Sequence, residues 1–156
     1  RLDRDTSGVM VFARSPRAQR HLGRQFERRY VQKRYVARVA GRLEGAGEMD
    51  LPLIADWPNR PRQMVSHARG RPALTRWVAL GQDGDTTRVA LAPLTGRAHQ
   101  LRVHMAEIGH PILGDPLYGP VYGGPQAERL MLHAERLAFR HPDGGAPVSF
   151  GCGAPF

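Results

Sequence analysis

Two carboxylates, Asp3 and Asp5, stand two residues apart in the segment RLDRDTSG, between arginines and ahead of a turn-prone Thr-Ser-Gly. Carboxylates so placed can act as a nucleophile, as hard oxygen ligands for a metal ion, or as members of a solvated charged turn. The metal pair is the poorest fit, because hard cations want more oxygen ligands than this stretch offers. No glycine-rich phosphate loop, CxxC or HExxH occurs elsewhere, so the familiar phosphate and zinc signatures are missing. Cys152 is the single cysteine, which rules out an intramolecular disulfide or a cysteine cluster for zinc.

The charge balance names the class of partner. Lys and Arg total 23 against 14 acids, for a formal net charge of +9 and a pI near 11.1. A domain this basic attracts polyanions, of which nucleic acid is the commonest. Lys33 is the only lysine, leaving 22 arginines, and guanidinium suits both phosphate forks and stacking on bases. The seven histidines lack metal-ligand spacing, so His99 and His104 read as structural or RNA-facing, and no metal is expected.

Residues that do chemistry need elements to hold them. At 156 residues the chain reads as one domain, residues 1–156, large enough for a real core. GVMVFAR (Gly8 to Arg14) reads as a short buried strand. Ser15 offers an N-cap and Pro16 a first helical position. The helix that follows puts Ala18, Leu22 and Phe26 on one stripe and Arg17, Arg20, Arg24 and Arg28 largely off it. That cationic face is either solvated or RNA-contacting.

KRYVARVAG (Lys33 to Gly41) alternates as a strand, with Tyr35, Ala37 and Val39 on one side. Gly45 to Gly70, rich in Pro, Gly and Arg, reads as a long loop with at most one short strand. ALTRWVAL and TTRVALAPL form a hairpin across GQDGD. AHQLRVHMAEIGHP places Ala98, Leu101, Met105 and Ile108 near one helical face, stopped by Gly109 and Pro111. RLMLHAERLAFRHP is a further strand, and DGG turns the chain into PVSF. The fold class is α+β, a mixed and largely antiparallel sheet flanked by helices and loops. No apolar run approaches the roughly 20 residues of a membrane span, and a cytoplasmic monomer is expected.

Three stretches taken in order carry a resemblance. RLDRDTSG, KRYVARVAG and PLTGRAHQLRVHMAEIGHPILGDPLYG, followed by RLMLHAERLAFRHP and a closing APF, resemble the motifs of the RluA family of pseudouridine synthases over essentially the whole chain. LPLIADWPNRPRQMV resembles the subgroup that gives this family its name. The family carries further strands ahead of its first motif, so the catalytic domain is expected here without its N-terminal strands.

The resemblance implies an isomerase that converts uridine in RNA to pseudouridine without cofactor or metal. It implies Asp3 as the catalytic aspartate, Tyr35 as the ring beneath the uracil and Arg102 as the partner of the Asp3 carboxylate. A guanidinium beside a carboxylate favours its charged, nucleophilic form. Arg1 matches an arginine that fills the space left by a flipped base, and Arg97 holds phosphate or braces the helix entrance. Leu101 and Ile112 line either the base pocket or the core. The subgroup implies stem-loops of tRNA, at the anticodon loop, and of 23S rRNA as substrates; rRNA alone is the next reading. A non-catalytic RNA-binding module and a metal-dependent nuclease using Asp3 and Asp5 also stay open on the residues alone.

Overall fold

The computed structural model describes residues 1–119 and 127–156. Their order along the chain is β1 (Ser7–Gly8), α1 (Pro16–Glu27), β2 (Gln32–Ala40), β3 (Ala46–Asp50), β4 (Leu53–Ala55), β5 (Gln63–Val65), β6 (Leu74–Asp83), β7 (Thr86–Pro93), α2 (Gln100–Glu107), β8 (Leu132–Arg140) and β9 (Pro147–Gly151). Among these residues a seven-stranded sheet runs β1-β8-β2-β7-β6-β3, with β9 also paired to β8. Only the β1–β8 pairing is parallel. Among the described residues no helix is long and apolar enough to cross a membrane.

The main core lies between the sheet and α2. Ala37 and Val39 of β2, Val89 and Leu91 of β7, and Leu101 and Met105 of α2 form one buried cluster. The alternation read in β2 and β7 is therefore the pleat of central strands. Helix α2 is buried along most of its length, including Gln100, Arg102 and His104. A polar helix can sit there only if its side chains are bonded, and they are. Gln100 reaches Thr95, Leu74 and Thr75, and His104 bridges Thr75 and the Leu51 carbonyl. His104 is thus a structural histidine. Gly109, at φ +83, ends this element in the left-handed turn that glycine permits.

Helix α1 begins as its sequence indicates, the Ser15 hydroxyl accepting the Ala18 N–H at 3.2 Å. Its buried stripe differs from the expected one. Leu22 and Gln25 are buried and Phe26 is exposed, because the Gln25 amide takes both backbone groups of Arg140, each at 2.8 Å.

Two expectations are corrected. Residues 9–14 are not a strand: pairing stops after Gly8 and a Val9 N–H bond to the Ala134 carbonyl. Beyond that point β9 occupies the same side of β8, from Arg136 onward, so the apolar run has no free edge to join. Met10 and Phe12 are left exposed. Residues 45–70 hold three strands rather than a loop. β3 pairs along the outer edge of β6, and β4 and β5 form a separate small sheet. Pairing partners, not the segment's own pattern, decide these strands.

Strand β1 fixes the position of Asp3, and Gly8 permits β1. Gly8 has φ +119, and a Cβ there would lie 2.2 Å from the Ala134 carbonyl oxygen. Gly8→Ala is expected to cost roughly 2–4 kcal/mol through clash and backbone strain, read as a lower urea midpoint. An unchanged midpoint would mean that β1 does not lie against β8 as described.

Candidate active site

Arg102 is the electrostatic centre of the molecule. Its side chain is 4% exposed and that of Asp115 fully buried. Nε and Nη2 of Arg102 donate to the two Asp115 carboxylate oxygens, both at 2.7 Å. Asp115 also accepts the backbone N–H groups of Leu117 and Tyr118, at 2.9 and 3.1 Å. Burial alone would raise the Asp115 carboxyl, but the guanidinium fork and the two amides together hold it below its ordinary value of 3.8. Burial likewise opposes the Arg102 charge, and the Asp115 bonds more than offset it.

The remaining nitrogen of the fork faces Asp3. Arg102 Nη1 lies 3.4 Å from Asp3 Oδ2, a looser contact than the pair behind it. Asp3 is held by a turn in which its carbonyl accepts the Thr6 N–H at 3.0 Å. Ser7 then anchors the segment through His133 Nδ1 at 2.8 Å. Asp5 goes elsewhere: it pairs with exposed Arg4 at 3.1 Å and is a member of a charged turn. The two carboxylates do not converge, and among the described residues no group of three possible metal ligands forms.

Asp3 opens into a cleft of about 250 Å³. That is somewhat below the roughly 300–1,000 Å³ of ligand pockets in general, the scale of one nucleoside rather than of a duplex. Arg1, Tyr35, Arg97, Leu101 and Arg102 line it with Asp3. Six of the seven residues singled out from sequence therefore share one space. Ile112 does not: it is fully buried in the main core and bridged to Val39. Leu101 belongs to both core and cleft wall. Burial, and next the charge of Asp3, push the Tyr35 phenol above its ordinary value, so the ring stays neutral. Arg97 donates Nε to the Pro72 carbonyl at 3.1 Å.

Three residues of the site went unassigned in the sequence. Asp115 sits in GDPLYG, where only an acid ahead of a turn is visible. Lys33 lines the cleft and donates Nζ to the Thr95 carbonyl at 2.8 Å. Burial, with the nearby Arg29 charge, pulls its ammonium below the ordinary value. Its signal was its rarity among arginines. Tyr118 accepts the Gln63 N–H at 2.6 Å and meets His99 Nδ1 at 2.8 Å. His99 is also on the cleft wall. Burial lowers its imidazole, which fits a neutral ring whose Nδ1 accepts a hydrogen bond from the Tyr118 hydroxyl.

Among the described residues that line this space, the cations Arg1, Lys33, Arg97 and Arg102 outnumber the one carboxylate, Asp3. The charge of such a cleft suits an anionic chain, and a carboxylate set in it is chemically able to act as a nucleophile.

Comparison with known proteins accords with this arrangement. Residues 1–107 match the family described as RNA pseudouridylate synthase. The chain is 51% identical over 158 residues to the dual-specificity RNA pseudouridine synthase RluA of Yersinia pestis, covering all of this chain and 77% of that protein. The same identity holds against the RluA of Escherichia coli strain K12, 72% of which is covered. The structure of human RNA pseudouridylate synthase domain containing 1 superimposes with a TM-score of 0.85 at 32% identity, over the whole of this chain and 68% of the human one. A family match through the first 107 residues and one shared residue in two over the full length leave no other home for this cleft: the chain belongs to the RNA pseudouridylate synthase family, isomerases of uridine in RNA.

Proposed function

We propose that Asp3 is the nucleophile, Tyr35 the platform beneath the detached uracil, and Arg102 the cation that poises the Asp3 carboxylate. One observation carries the reading. The Arg102 fork, clamped from behind by Asp115, directs its free nitrogen to Asp3 in the cleft that Tyr35 also lines. The reaction breaks the bond from the ribose C1′ to uracil N1 and forms one from C1′ to C5. The proton lost from C5 is matched by one gained at N1, so no oxidant, reductant or cofactor enters the balance. A carboxylate can hold the sugar or the ring while the base turns, and a neutral tyrosine offers a flat face to stack on.

The substrates we assign are uridines in stem-loops of tRNA and of 23S rRNA, which the protein meets in the cytoplasm. Support comes from similar proteins described as dual-specificity RNA pseudouridine synthases, and from a cleft too small for duplex. A target uridine must leave its stack at a cost of about a few kcal/mol, least in a loop. Cleft arginines can offset this through phosphate contacts.

Asp3→Asn in the complete protein is expected to lower tritium release from RNA labelled at uracil C5 by at least about 10³-fold, with RNA affinity nearly unchanged. Full release by the variant would remove Asp3 from the nucleophile's role. Asp115→Asn leaves the reacting atoms in place but loosens the fork, so kcat is expected to fall by up to about 100-fold while KM changes little. A rise in KM alone would instead place Asp115 in substrate binding.

Asp115 also predicts a pH dependence. Its folded-state value lies below 3.8, so it contributes stability that is present above 3.8 and lost as pH falls through the folded value. Urea midpoints measured across that acid range should drop in the wild type, and Asp115→Asn should lack this component. Parallel acid profiles for the two proteins would contradict it.

A further inference from the structure

His99 lines the cleft, and nothing in the chemistry above employs it. Its backbone sits in the left-handed region at φ +53, which is uncommon for any residue with a Cβ. It stands at the N-cap of α2 yet gives that helix no side-chain hydrogen bond. The residue forgoes the bond usual at this position, because its ring is committed elsewhere.

The ring is committed to Tyr118. The two rings meet edge to face with centroids 5.7 Å apart, and His99 Nδ1 lies 2.8 Å from the Tyr118 hydroxyl. That hydroxyl also lies 2.6 Å from the backbone nitrogen of Gln63. Gln63 begins β5, in the arm of residues 51–73 that β4 and β5 build at the cleft rim. A backbone N–H can only donate, so the hydroxyl oxygen accepts from Gln63 and its single proton is left for His99 Nδ1. A neutral imidazole has one donor and one acceptor. With Nδ1 accepting, the ring proton sits on Nε2.

Nε2 itself has no hydrogen-bond partner among the described residues, where Arg38 Nε is the one buried side-chain nitrogen or oxygen left unpaired. The Nε2–H is therefore open to solvent, on a ring that lines the cleft. Burial lowers the imidazole most, and the charges of Asp3, Arg102, Asp115 and Arg1 act on it next, so this neutral donor stands among the groups assigned to the reaction. Phosphate is better met by the charged forks of Arg1 and Arg97 on the same walls. A single uncharged N–H suits a carbonyl oxygen.

We propose that His99 reads the target base, its Nε2–H donating to the C4 carbonyl oxygen of the uracil that Tyr35 supports, and so selects uridine over cytidine. A base turned out of its stack is read along its Watson–Crick edge, to which this oxygen belongs. Cytosine carries an amino donor at C4 where uracil carries an acceptor, and would set donor against donor. The choice thus works by repulsion as well as attraction. The same N–H serves the turned base. Passing from an N1 link to a C5 link is a half-turn about the N3–C6 axis, which exchanges O4 with O2, so a carbonyl oxygen faces His99 before and after. The proposal rests on the roles and substrates assigned above and adds the residue that chooses the base.

The probes are RNA hairpins carrying a tRNA anticodon loop, with the target position occupied by C5-tritiated uridine, by C5-tritiated 4-thiouridine, or by an abasic site. Asparagine tolerates the left-handed backbone and has no nitrogen at the place of Nε2. His99→Asn in the complete protein is expected to lower kcat/KM on the uridine hairpin by about 10- to 100-fold. Wild type should lose roughly 3- to 10-fold on 4-thiouridine, whose sulfur accepts weakly, and His99→Asn should be nearly indifferent to the sulfur. Its Kd for the abasic hairpin should match that of wild type, since no base is there to read. Tyr118→Phe keeps the His99 ring but releases its tautomer, and should show a smaller loss with a weaker response to sulfur. Full activity of either variant, a sulfur effect as large in His99→Asn as in wild type, or weakened binding of the abasic hairpin overturns the role of His99 and leaves that of Asp3 standing. Wild-type protein that releases no tritium from the uridine hairpin overturns this proposal and the stem-loop substrate together.

Discussion

A guanidinium buried to the extent of Arg102 cannot stand alone, and the architecture around the cleft answers that constraint. Removing a charge from water costs several kcal/mol even after relaxation, so Arg102 needs an acid with matching geometry. Asp115 supplies it as two parallel short bonds, the strongest form such a pair takes. Asp115 in turn is buried and needs donors beyond the one arginine, which the Leu117 and Tyr118 amides provide. The compensation is complete without Asp3. That is what frees the last nitrogen of the fork to serve a second carboxylate that must stay reachable from solvent. A single Arg–Asp3 pair would have to choose between rigid burial and access; the three-group arrangement divides those duties.

The helix that carries Arg102 is unusual for the same reason. A surface helix buries one stripe and solvates the rest, whereas α2 is enclosed by the sheet on one side and by the β4–β5 arm and the 111–119 segment on others. Gln100, Arg102 and His104 occupy positions where apolar residues would also pack. Gln100 and His104 share the Thr75 hydroxyl and Arg102 takes Asp115, so the helix can settle only where all of these partners coincide. Polar burial here specifies register. A one-residue slip would strand all three.

Much of this was readable from sequence where a single physical period governed a segment. Strands β2, β7 and β8 alternate or run apolar because their neighbours bury them, β6 is marked by its turn into β7 although Val78 and Leu80 stay exposed, and the Ser15-Pro16 start marks α1. Legibility failed where partners decide. β3 has one buried apolar side chain, Met49, and is a strand because β6 offers an edge. Residues 9–14 are apolar enough for a strand and lack one because β9 holds that edge. At the site, Asp3, Tyr35 and Arg102 emerged through a family resemblance and not from periodicity. No local rule joins residue 3 to residue 102. Ile112 shows the limit of such a reading: lying in a motif does not distinguish a wall of the cleft from the core behind it. Asp115 was invisible because its role exists only through Arg102.

Tyr118 ties the floor of the cleft to its rim. Its ring lies 5.2 Å from the Arg102 guanidinium carbon and 5.0 Å from that of Arg62 on the arm, within the range where a π-face attracts a cation. Its hydroxyl joins Gln63 of the arm to His99 of the wall. The backbone N–H of the same residue bonds to Asp115, the clamp on Arg102. One side chain thus touches the cation beside Asp3, the His99 wall of the cleft and the arm at its rim. Burial keeps its phenol above the ordinary value, so the hydroxyl keeps its proton near neutral pH. The cleft and the arm are therefore set in one fixed relation. Both are indexed to a single buried ring, and neither can shift against the other without breaking a bond that the interior cannot replace with water.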